Sequence, residues 1–325
     1  MRALVVGPGA VGARAARQLA ESDDVEAVLL AGGSPDRARA VAARIGADVT
    51  AVDEPLDAEV DVVVLAGPSG THAGPARDHL ARGRHVVSTS DDLVDVQALL
   101  DLDAEATVRE RSVVVGTGFS PGLSCLLVRH AAERFETVDE VHVARVGTGG
   151  PACARHHHRA LAGTALDWRD HGWLRRPAGS GRELCWFPDP VGGRDCYRAE
   201  LPDALLLVPE FPGVSRVTAR LAANRRDRLT ARLPMLRRPH PEGLVGALRV
   251  ELRGTAGAAR EVVVLGALDR PAVAAGTLAA LAASRAAAGE LATGAGGLAR
   301  VEDPVSWLAA LAVVGIKAAV FEGAG

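Results

Sequence analysis

The chain has 325 residues, which is enough for two domains with ample cores. Lys and Arg number 37 against 40 Asp and Glu, a formal net charge of −3, so bulk charge does not indicate a nucleic-acid-binding protein. The longest apolar stretch, 307–321, contains Lys317 and is too short to span a bilayer. The four cysteines are not closely paired, and the opening residues MRALVVGPGA do not resemble a secretory signal. We therefore expect a cytoplasmic protein with neither a nucleic acid nor a membrane as partner.

The chain opens with the pattern of a nucleotide-binding unit. An apolar strand, Ala3–Val6, leads into the sequence GPGAVG and then into a helical pattern. The first glycine of such a motif allows a tight turn, the second lets a pyrophosphate approach the backbone, and the third lets helix and strand pack closely. The residues expected to contact a dinucleotide are Gly7, Pro8, Gly9, Ala10, Val11 and Gly12.

The end of the second strand bears on the choice of cofactor. NAD-preferring proteins usually carry Asp or Glu there to bind the ribose 2′-hydroxyl, and this chain has Ala31. Ser34 and Arg37 follow and are suited to a 2′-phosphate, which favours NADP(H) over NAD(H). An alternative is that Ser34 caps a helix and Arg37 is solvated. Both interpretations are compatible.

Apolar strands and helices then alternate as far as residue 122, which predicts a parallel sheet covered on both faces, a Rossmann-type α/β domain. We expect strands at 60–68, 84–90 and 112–122, with helices over 72–82 and 93–109. Ligands bind at the carboxyl ends of such strands. The residues expected near the cofactor there are Gly67, Pro68, Ser88, Thr89, Gly118 and Phe119, and those near the substrate are Ser90 and Ser120.

The second half changes to alternating strands, which predict an α+β domain whose mostly antiparallel sheet has an exposed or partner-covered side. Strands are expected at 140–146, 216–222, 248–253 and 261–267, a helix at 269–289 and a glycine-rich turn at 294–297. We predict a dinucleotide-binding domain at 1–123 and a substrate and dimerisation domain at 124–303. A last helix at 304–325 is expected to pack back on the first domain. A homodimer through the substrate domain follows from the same pattern.

The order of several segments resembles the saccharopine reductase family, which includes carboxynorspermidine dehydrogenase. GRHVVSTS is similar to the family's G-K-H-V-V-T-T-S, and GTGFSPGLSCLLV stands where the family has a D-P-G segment that opens a helix. VGTGGPA matches a strand ending in G-G-L-P, and LCWFPDPVG is similar to F-S-W-S-P-x-G. The closing segments DRPAVAAGTLAAL, GAGG and WLAALAVVGIK also resemble those of the family.

This resemblance implies an NADP(H)-dependent oxidoreductase that acts on an imine between an amino acid and a carbonyl compound. The family's Asp before Pro-Gly is Ser120 here, and its following His corresponds to Ser124 or Cys125, so saccharopine itself is not the expected substrate. Residues 68–87 also resemble the glucose–fructose and inositol dehydrogenases. Those enzymes and homoserine dehydrogenases depend on a lysine, and the single lysine of this chain is Lys317, which argues against both.

Three consecutive histidines follow the Gly149-Gly150-Pro151 turn. Successive helical residues diverge by about 100°, so the three cannot converge on one ion, and no metal site is predicted. A histidine is instead a candidate proton donor to nitrogen or oxygen, or a polar residue at the start of a helix. The catalytic candidates are His156, His157 and Tyr197, and the further substrate candidates are Trp186 and Arg194.

The sequence therefore predicts a biosynthetic oxidoreductase that transfers hydride from NADPH to a C=N bond, or less readily to a C=O bond, of a small amino-acid-like metabolite. Two other classes of function stay open. One is a dinucleotide-binding sensor or subunit without redox turnover, which the change of the family's Asp to Ser120 would suit. The other is a non-redox lyase or cyclase that uses the same cleft.

Overall fold

The computed structural model describes residues 1–235, 238–316 and 318–321. The helices are α1 (Ala10–Ala20), α2 (Pro35–Ile45), α3 (Ala73–Ala81), α4 (Leu93–Leu100), α5 (Asp103–Val108), α6 (Leu123–Ala132), α7 (Pro151–Ala160), α8 (Asp203–Leu207), α9 (Arg225–Thr230), α10 (Pro271–Ala287) and α11 (Pro304–Val313). The strands are β1 (Arg2–Val6), β2 (Ala27–Ala31), β3 (Val49–Ala51), β4 (Val62–Leu65), β5 (His85–Ser88), β6 (Ser112–Val115), β7 (Thr137–Val146), β8 (Thr164–Arg169), β9 (Gly172–Pro177), β10 (Glu183–Phe187), β11 (Gly192–Arg198), β12 (Arg216–Ala222), β13 (Gly246–Ala256), β14 (Ala259–Asp269), β15 (Gly294–Gly296) and β16 (Ala318–Phe321).

The chain divides into two compact units. The first consists of Met1–Gly118 and Ala272–Leu298, and the second of Phe119–Pro271 and the chain from Ala299 onward. This division differs from the expected boundary at 123/124 in one main respect, the assignment of 272–298. Most of α10 and all of β15 belong to the first unit, because β15 pairs with β6 and Gly276 lies against the backbone of α1.

The first unit contains a seven-stranded sheet in the order β15-β6-β5-β4-β1-β2-β3, and every pair in it is parallel. Its central strands are apolar and buried, as in the fully buried β4. The predicted Rossmann-type parallel sheet is therefore confirmed. Such strands are buried because helices cover both faces of a parallel sheet.

The edge strand β15 was expected to be a glycine-rich turn. It forms a strand because its small residues fit against α5, where the amide of Ala295 donates to Asp103 Oδ1 at 2.8 Å. A side chain at Gly294 would overlap that same carboxylate, and the φ of +97° at this position favours glycine. Glycine-rich composition therefore predicted a turn where tertiary packing forms a short strand.

The expected single helix at 93–109 is two helices, α4 and α5, separated at residues 101–102. The amide of Leu102 bonds to the carbonyl of Leu99, three residues back, which tightens the end of α4. Leu102 is buried, so the break directs an apolar side chain into the core of the first unit.

The second unit contains a nine-stranded mixed sheet in the order β10-β11-β12-β7-β13-β14-β16, with β8 paired to β12 and β9 paired to β8. All pairs are antiparallel except β7 with β12. The expected mostly antiparallel sheet is confirmed. The expected strands at 248–253 and 261–267 extend at both ends into β13 and β14, whose long hairpin pairs over 11 positions on each strand.

The two faces of this sheet differ in chemistry. On one face the side chains of Val141, Val143 and Val250 are buried, and helix α6 packs against β7, β13 and β14. On the other face Glu140 and Glu251 form ion pairs with neighbouring arginines of the sheet. This difference follows from the alternation of side chains along a strand.

The C-terminal segment differs from the expected helix at 304–325. Helix α11 ends at Val313, and the positive φ of Gly315 (+91°) lets the chain turn away. The chain then adds β16 to the edge of β14 in the second unit, where α11 also contacts α6. Lys317 and residues 322–325 lie outside the described residues. None of the described helices is long and apolar enough to cross a membrane.

Candidate functional site

The Gly7–Gly12 loop joins β1 to α1 and has the geometry of a phosphate-binding turn. Gly7 has a φ of +120°, and a Cβ there would lie 2.5 Å from the carbonyl carbon of Ala66. A Cβ on Gly12 would overlap the carbonyl oxygen of Gly7. Gly9 differs, because a Cβ built on it meets nothing within 4 Å. Gly7 and Gly12 are thus required by packing, whereas Gly9 leaves open space at the N-terminus of α1.

This open space fits a dinucleotide phosphate. Gly9 is the N-cap of α1 and supplies no side-chain hydrogen bond to the free amides of the first turn. Free amides and the helix dipole at such an end favour an anion. Pro8, Ala10 and Val11 belong to the same turn and first helical residues, so the backbone that would hold the cofactor is continuous here.

The residues after β2 lie at the surface. Ser34 is the N-cap of α2, but its side chain makes no capping hydrogen bond. Arg37 is exposed, and in the described part of the chain its side chain has no ion-pair partner. The neighbouring Arg39 differs, since it pairs with Asp36 and Asp53 at 3.0 and 2.9 Å. A hydroxyl and a guanidinium are therefore available beside Ala31.

The carboxyl edge of the parallel sheet is organised by His72. Its Nδ1 lies 2.8 Å from Ser88 Oγ and its Nε2 lies 3.2 Å from the carbonyl oxygen of Gly67. Burial lowers the pKa of His72, against the opposing effect of Asp95, so the ring is neutral at pH 7. His72 thus links the loops after β4 and β5, where Gly67, Pro68, Ser88 and Thr89 were expected to lie near the cofactor.

Asp95 has a supporting role at the same edge. Its carboxylate accepts from the amides of Gly70, His72 and Ala73 at 2.9–3.1 Å, and from the hydroxyl of Ser90. These hydrogen bonds lower the pKa of Asp95 against the effect of burial, which acts in the opposite direction. The predicted substrate residue Ser90 is thereby buried and bound to Asp95.

The segment that follows β6 passes from one unit to the other. Thr117 donates its amide to the carbonyl of Ser88 at 2.8 Å in the first unit, which ends at Gly118. Phe119, the other expected cofactor residue of this segment, is buried and belongs to the second unit.

In the second unit, Ser120 belongs to a buried polar group that sequence reasoning did not foresee. Its hydroxyl donates to Asp203 Oδ1 at 2.6 Å, and Ser124 Oγ lies 3.4 Å from the same oxygen. Asp203 is at the start of α8 and is completely buried. In the sequence LPDALLLV nothing distinguishes this Asp from an ordinary helix-start residue, because its partners are about 80 residues away.

Arg145 lies beside this group. Its guanidinium donates to the carbonyl oxygen of Ser120 and to the ring of His157, and Arg145 and His157 are each only 3% exposed. Since a guanidinium has only donors, the ring nitrogen that faces it is an unprotonated acceptor. Arg145 follows Val141 and Val143 at every second position of β7, so it lies on the buried face of this strand. A charged residue in such an apolar alternation is the sequence feature that could have pointed to Arg145.

The other predicted catalytic residues have different surroundings. His158 Nε2 lies 2.9 Å from the carbonyl oxygen of Thr230, while His156 is partly exposed. Tyr197 is 5% exposed, and the guanidinium of Arg228 covers its ring at 4.1 Å. These are the surroundings of a core aromatic residue.

The two further substrate candidates lie at the edge of the sheet. Trp186 of the edge strand β10 is 64% exposed and packs along Gly193 of β11. Arg194 is exposed and donates to the carbonyl of Gly193 at 3.0 Å. The contacts of the structure therefore bring together Ser120, Arg145, His157 and Asp203, and place Trp186 and Arg194 on a neighbouring hairpin.

A second residue that could bind zinc lies near His157, since Cys153 Sγ is 3.4 Å from its Nε2. The donated N–H of Arg145 occupies the ring lone pair, and a guanidinium repels a metal cation. The absence of a resident metal therefore stays a prediction, now supported by the position of this cation.

Comparison with known proteins gives a profile match over the first third of the chain. Residues 1–108 match the family profile named GFO_IDH_MocA and described as "Oxidoreductase family, NAD-binding Rossmann fold". No curated protein matches the sequence. The matched family is the one set aside above for want of a lysine. That exclusion is corrected for the nucleotide-binding domain, although Ser88-Thr89-Ser90-Asp91 still stand where the lysine was expected.

Two solved structures share the fold over most of the chain. An apo saccharopine dehydrogenase (L-Glu forming) from Saccharomyces cerevisiae is similar over 98% of this chain and 99% of its own, with a TM-score of 0.72 and 16% identity. A DAP dehydrogenase from C. glutamicum in complex with DAP is similar over 93% of both chains, with a TM-score of 0.51 and 17% identity. The first similarity confirms the expected resemblance to saccharopine-reducing enzymes at the level of fold.

Proposed function

We propose that this protein, an NAD(P)-dependent oxidoreductase whose residues 1–108 form the NAD-binding Rossmann domain of the GFO/IDH/MocA family, uses NADP(H) to reduce a C=N bond, or less readily a C=O bond. The substrate is a small amino-acid-like metabolite. The observation that carries this proposal is the buried group formed by Ser120, Arg145, His157 and Asp203. The second unit thus brings together a hydrogen-bond donor (Arg145), an acceptor (Asp203) and an imidazole ring that can transfer a proton (His157).

The preference for NADP(H) rests on the end of β2. With Ala31 in place of a carboxylate, nothing at that position favours a ribose 2′-hydroxyl, and the exposed Ser34 and Arg37 suit a 2′-phosphate. We expect NADPH to bind at least tenfold more tightly than NADH in a fluorescence titration. Arg37→Ala should narrow this difference, because it removes the cation that a phosphate requires.

Arg17→Ala is the matched control, since it removes an exposed guanidinium near the end of α1. It should leave the ratio of the two affinities unchanged. Equal affinity of the parent for NADPH and NADH would contradict the cofactor preference.

The residues of the second unit suggest how the proton is handled. When bound, the dihydronicotinamide supplies a hydride to the substrate carbon. Reduction of C=N to CH–NH also requires one proton at nitrogen. We propose that the ring of His157 exchanges this proton with the substrate: it releases the hydrogen bond from Arg145 to take the proton from the amine in the oxidative direction, and it returns the proton in the reductive direction.

The test is NADPH consumption with mixtures of amino acids and aldehydes or keto acids, followed by metabolites that neighbouring genes suggest. His157→Ala should slow turnover about 10²–10⁴-fold with unchanged NADPH affinity. His158→Gln is the matched control, because His158 bonds a backbone carbonyl, and it should retain the parent rate. His156→Ala should also retain the parent rate, and a slow His156→Ala with a normal His157→Ala would assign the proton transfer to His156.

One result would favour the alternatives. If NADPH binds tightly but no mixture consumes it and His157→Ala behaves as the parent, a sensor or subunit without turnover is the better assignment. Interconversion of a substrate without change in NADPH would favour a lyase or cyclase. The observation that favours such functions is the position of Ser120 where the resembling family has a carboxylate.

We also propose a homodimer through the substrate domain, in a reducing compartment such as the cytoplasm. The face of the nine-stranded sheet with the ion pairs of Glu140 and Glu251 also carries Val262, which is 58% exposed. A surface that combines charged and apolar side chains in this way is suited to binding a second copy of the chain. None of the four cysteines, all of which lie in the described part of the chain, forms a disulfide, in keeping with reducing surroundings. Sedimentation velocity tests the dimer.

A further inference from the structure

Resting on the proposed imine reduction, we propose that Ser120 is a substrate-binding residue that accepts a hydrogen bond from the N–H of an amine or iminium, and that Asp203 is the positioning residue that turns the Ser120 hydroxyl into this acceptor. The pair would then determine the preference for a nitrogen-containing substrate. The argument depends on the direction of one hydrogen bond.

The direction follows from the chemistry of the two groups. A hydroxyl has one proton, and an ionised carboxylate has only acceptors. Ser120 Oγ and Asp203 Oδ1 are 2.6 Å apart, the short distance typical of a hydroxyl that donates to a carboxylate. The proton of Ser120 is therefore directed at Asp203, and what Oγ offers in other directions is lone pairs.

The neighbours of Asp203 supply hydrogen-bond donors to its carboxyl oxygen Oδ1. Its Oδ1 accepts from Ser120 and lies near the hydroxyl of Ser124, at the N-terminus of α6, where the helix dipole favours a negative charge. Asp203 is thus the acceptor of the proton of Ser120.

The backbone of Ser120 is also held in place. Arg145 donates to its carbonyl oxygen, and the amide of Ser124 donates to the carbonyl of Phe119 at 3.3 Å. Its side chain and its main chain are therefore fixed by different partners. Such fixing reduces the entropy lost when a ligand is bound.

An oxygen held as an acceptor discriminates between the two reactions that the proposed function allows. An iminium or amine N–H is a donor and pairs with it. A carbonyl oxygen is an acceptor only, and two acceptors facing each other repel. Sites built to hydrogen-bond one polar group reject analogues that lack it more strongly than sites that measure size alone.

A purely structural role is the competing explanation, in which both serines and Asp203 only hold the start of α6. The matched pair Ser120→Ala and Ser124→Ala separates the two roles, because each removes one hydroxyl near the same carboxylate oxygen. Structural support predicts that both lower the melting temperature and neither changes the choice of substrate. Substrate binding predicts that only Ser120→Ala changes the kinetics.

The experiment uses the full chain with NADPH and the amino acid and carbonyl pair that the parent reduces fastest. Ser120→Ala should lower kcat/KM for that pair about 10–100-fold, mostly through KM, and leave the NADPH dissociation constant unchanged. Ser124→Ala should stay within about threefold of the parent. Asp203→Asn, whose amide can donate to Ser120 and turn its proton outward, should lower imine reduction relative to reduction of the carbonyl compound alone.

Two results overturn different statements. If the parent reduces imines and Ser120→Ala reduces them as well as Ser124→Ala does, the role of Ser120 is wrong and the proposed function stands. If the parent consumes NADPH with no imine, the proposed function is wrong and this inference falls with it. A loss of NADPH binding in Ser120→Ala would likewise contradict substrate recognition, since it would show a general effect on folding.

Discussion

At the scale of single residues, the three glycines of the GPGAVG loop differ in their surroundings. Gly7 and Gly12 are confined by backbone atoms, and Gly7 also has a left-handed φ. Gly9 has a φ of −88°, which any residue adopts, and has open space in front of its missing Cβ. Of the three glycines, only Gly9 therefore leaves space in which a pyrophosphate would fit.

This difference gives a prediction with a built-in control. Gly9→Ala should fold as the parent does and bind NADPH at least tenfold more weakly, because its methyl group occupies the space that a pyrophosphate would use. Gly12→Ala should lower the melting temperature, because its methyl group must displace the carbonyl of Gly7. Thermal unfolding and a fluorescence titration check both. Normal NADPH affinity in Gly9→Ala would contradict the assignment of this loop.

Ser120 and Asp203 illustrate a second point at this scale. The resembling family has a carboxylate at position 120, and this chain has a hydroxyl there. The folded chain brings the carboxylate of Asp203 within 2.6 Å of that hydroxyl. The carboxylate that is missing from position 120 is thus found beside it on a residue that is remote in sequence, and alignment of the motif alone would miss it.

At the scale of elements, the contact of α10 with α1 decides where α10 belongs. Gly276 stands in the middle of α10, where glycine costs about 1 kcal/mol relative to alanine. A Cβ at this position would lie 2.6 Å from the carbonyl oxygen of Val11 and 2.7 Å from Cβ of Arg14. In addition, Arg14 Nε donates to Thr277 Oγ1 at 3.0 Å. The glycine permits close approach of the two helices.

Gly276→Ala should therefore destabilise the protein in spite of the higher helix propensity of alanine, by about 1–3 kcal/mol from overpacking. Gly74→Ala is the control within α3, since a Cβ there meets nothing within 4 Å apart from its chain neighbours; because Pro75 follows, we expect a change of no more than about 1 kcal/mol in either direction. Urea unfolding of both variants measures the change in the free energy of unfolding. A stabilised Gly276→Ala would mean that α10 does not pack closely on α1.

At the scale of the whole molecule, buried histidines link stability to pH. Burial, as the largest cause, lowers the pKa values of His72, His79, His85 and His142. For His79 burial and the charge of Arg84 lower the pKa to about 4, and its Nδ1 lies 2.8 Å from Arg84 Nη1. In the unfolded chain a histidine titrates near 6.5. Between these values the unfolded state binds more protons than the native state.

The free energy of unfolding should therefore fall as the pH is lowered from about 6.5 towards 4, with up to about 1.4 kcal/mol per pH unit for each histidine kept neutral. His79→Asn, whose Oδ1 takes the place of Nδ1 as acceptor, should reduce this slope. The exposed His171→Asn should not. Chemical denaturation at a series of pH values measures the slopes, and an unchanged slope in His79→Asn would show that His79 is protonated in the native protein.

Much of the first unit follows from local pattern. The alternation of apolar strands with helices and the spacing of Gly7, Gly9 and Gly12 predicted the parallel sheet and its nucleotide-binding turn, because a buried strand and a phosphate-binding loop need these residues in adjacent positions. The alternating strands of the second half predicted a mostly antiparallel sheet for the same reason. The missed elements include the short strand β3, the hairpin strands β8 to β11, and β15 and β16, whose pairing partners lie far away in the chain.

The candidate site in the second unit was predictable only in part. The sequence by itself determined the class of fold, and it named the glycine loop, Ser120 and His157 as candidates, since each of these inferences depends on residues close together in the chain. Only the tertiary structure decided that Arg145 contacts both of them and that Asp203 orients Ser120. Those contacts join residues 12 to 83 positions apart, and the free energy of burying a charge depends on which partners the fold brings to it.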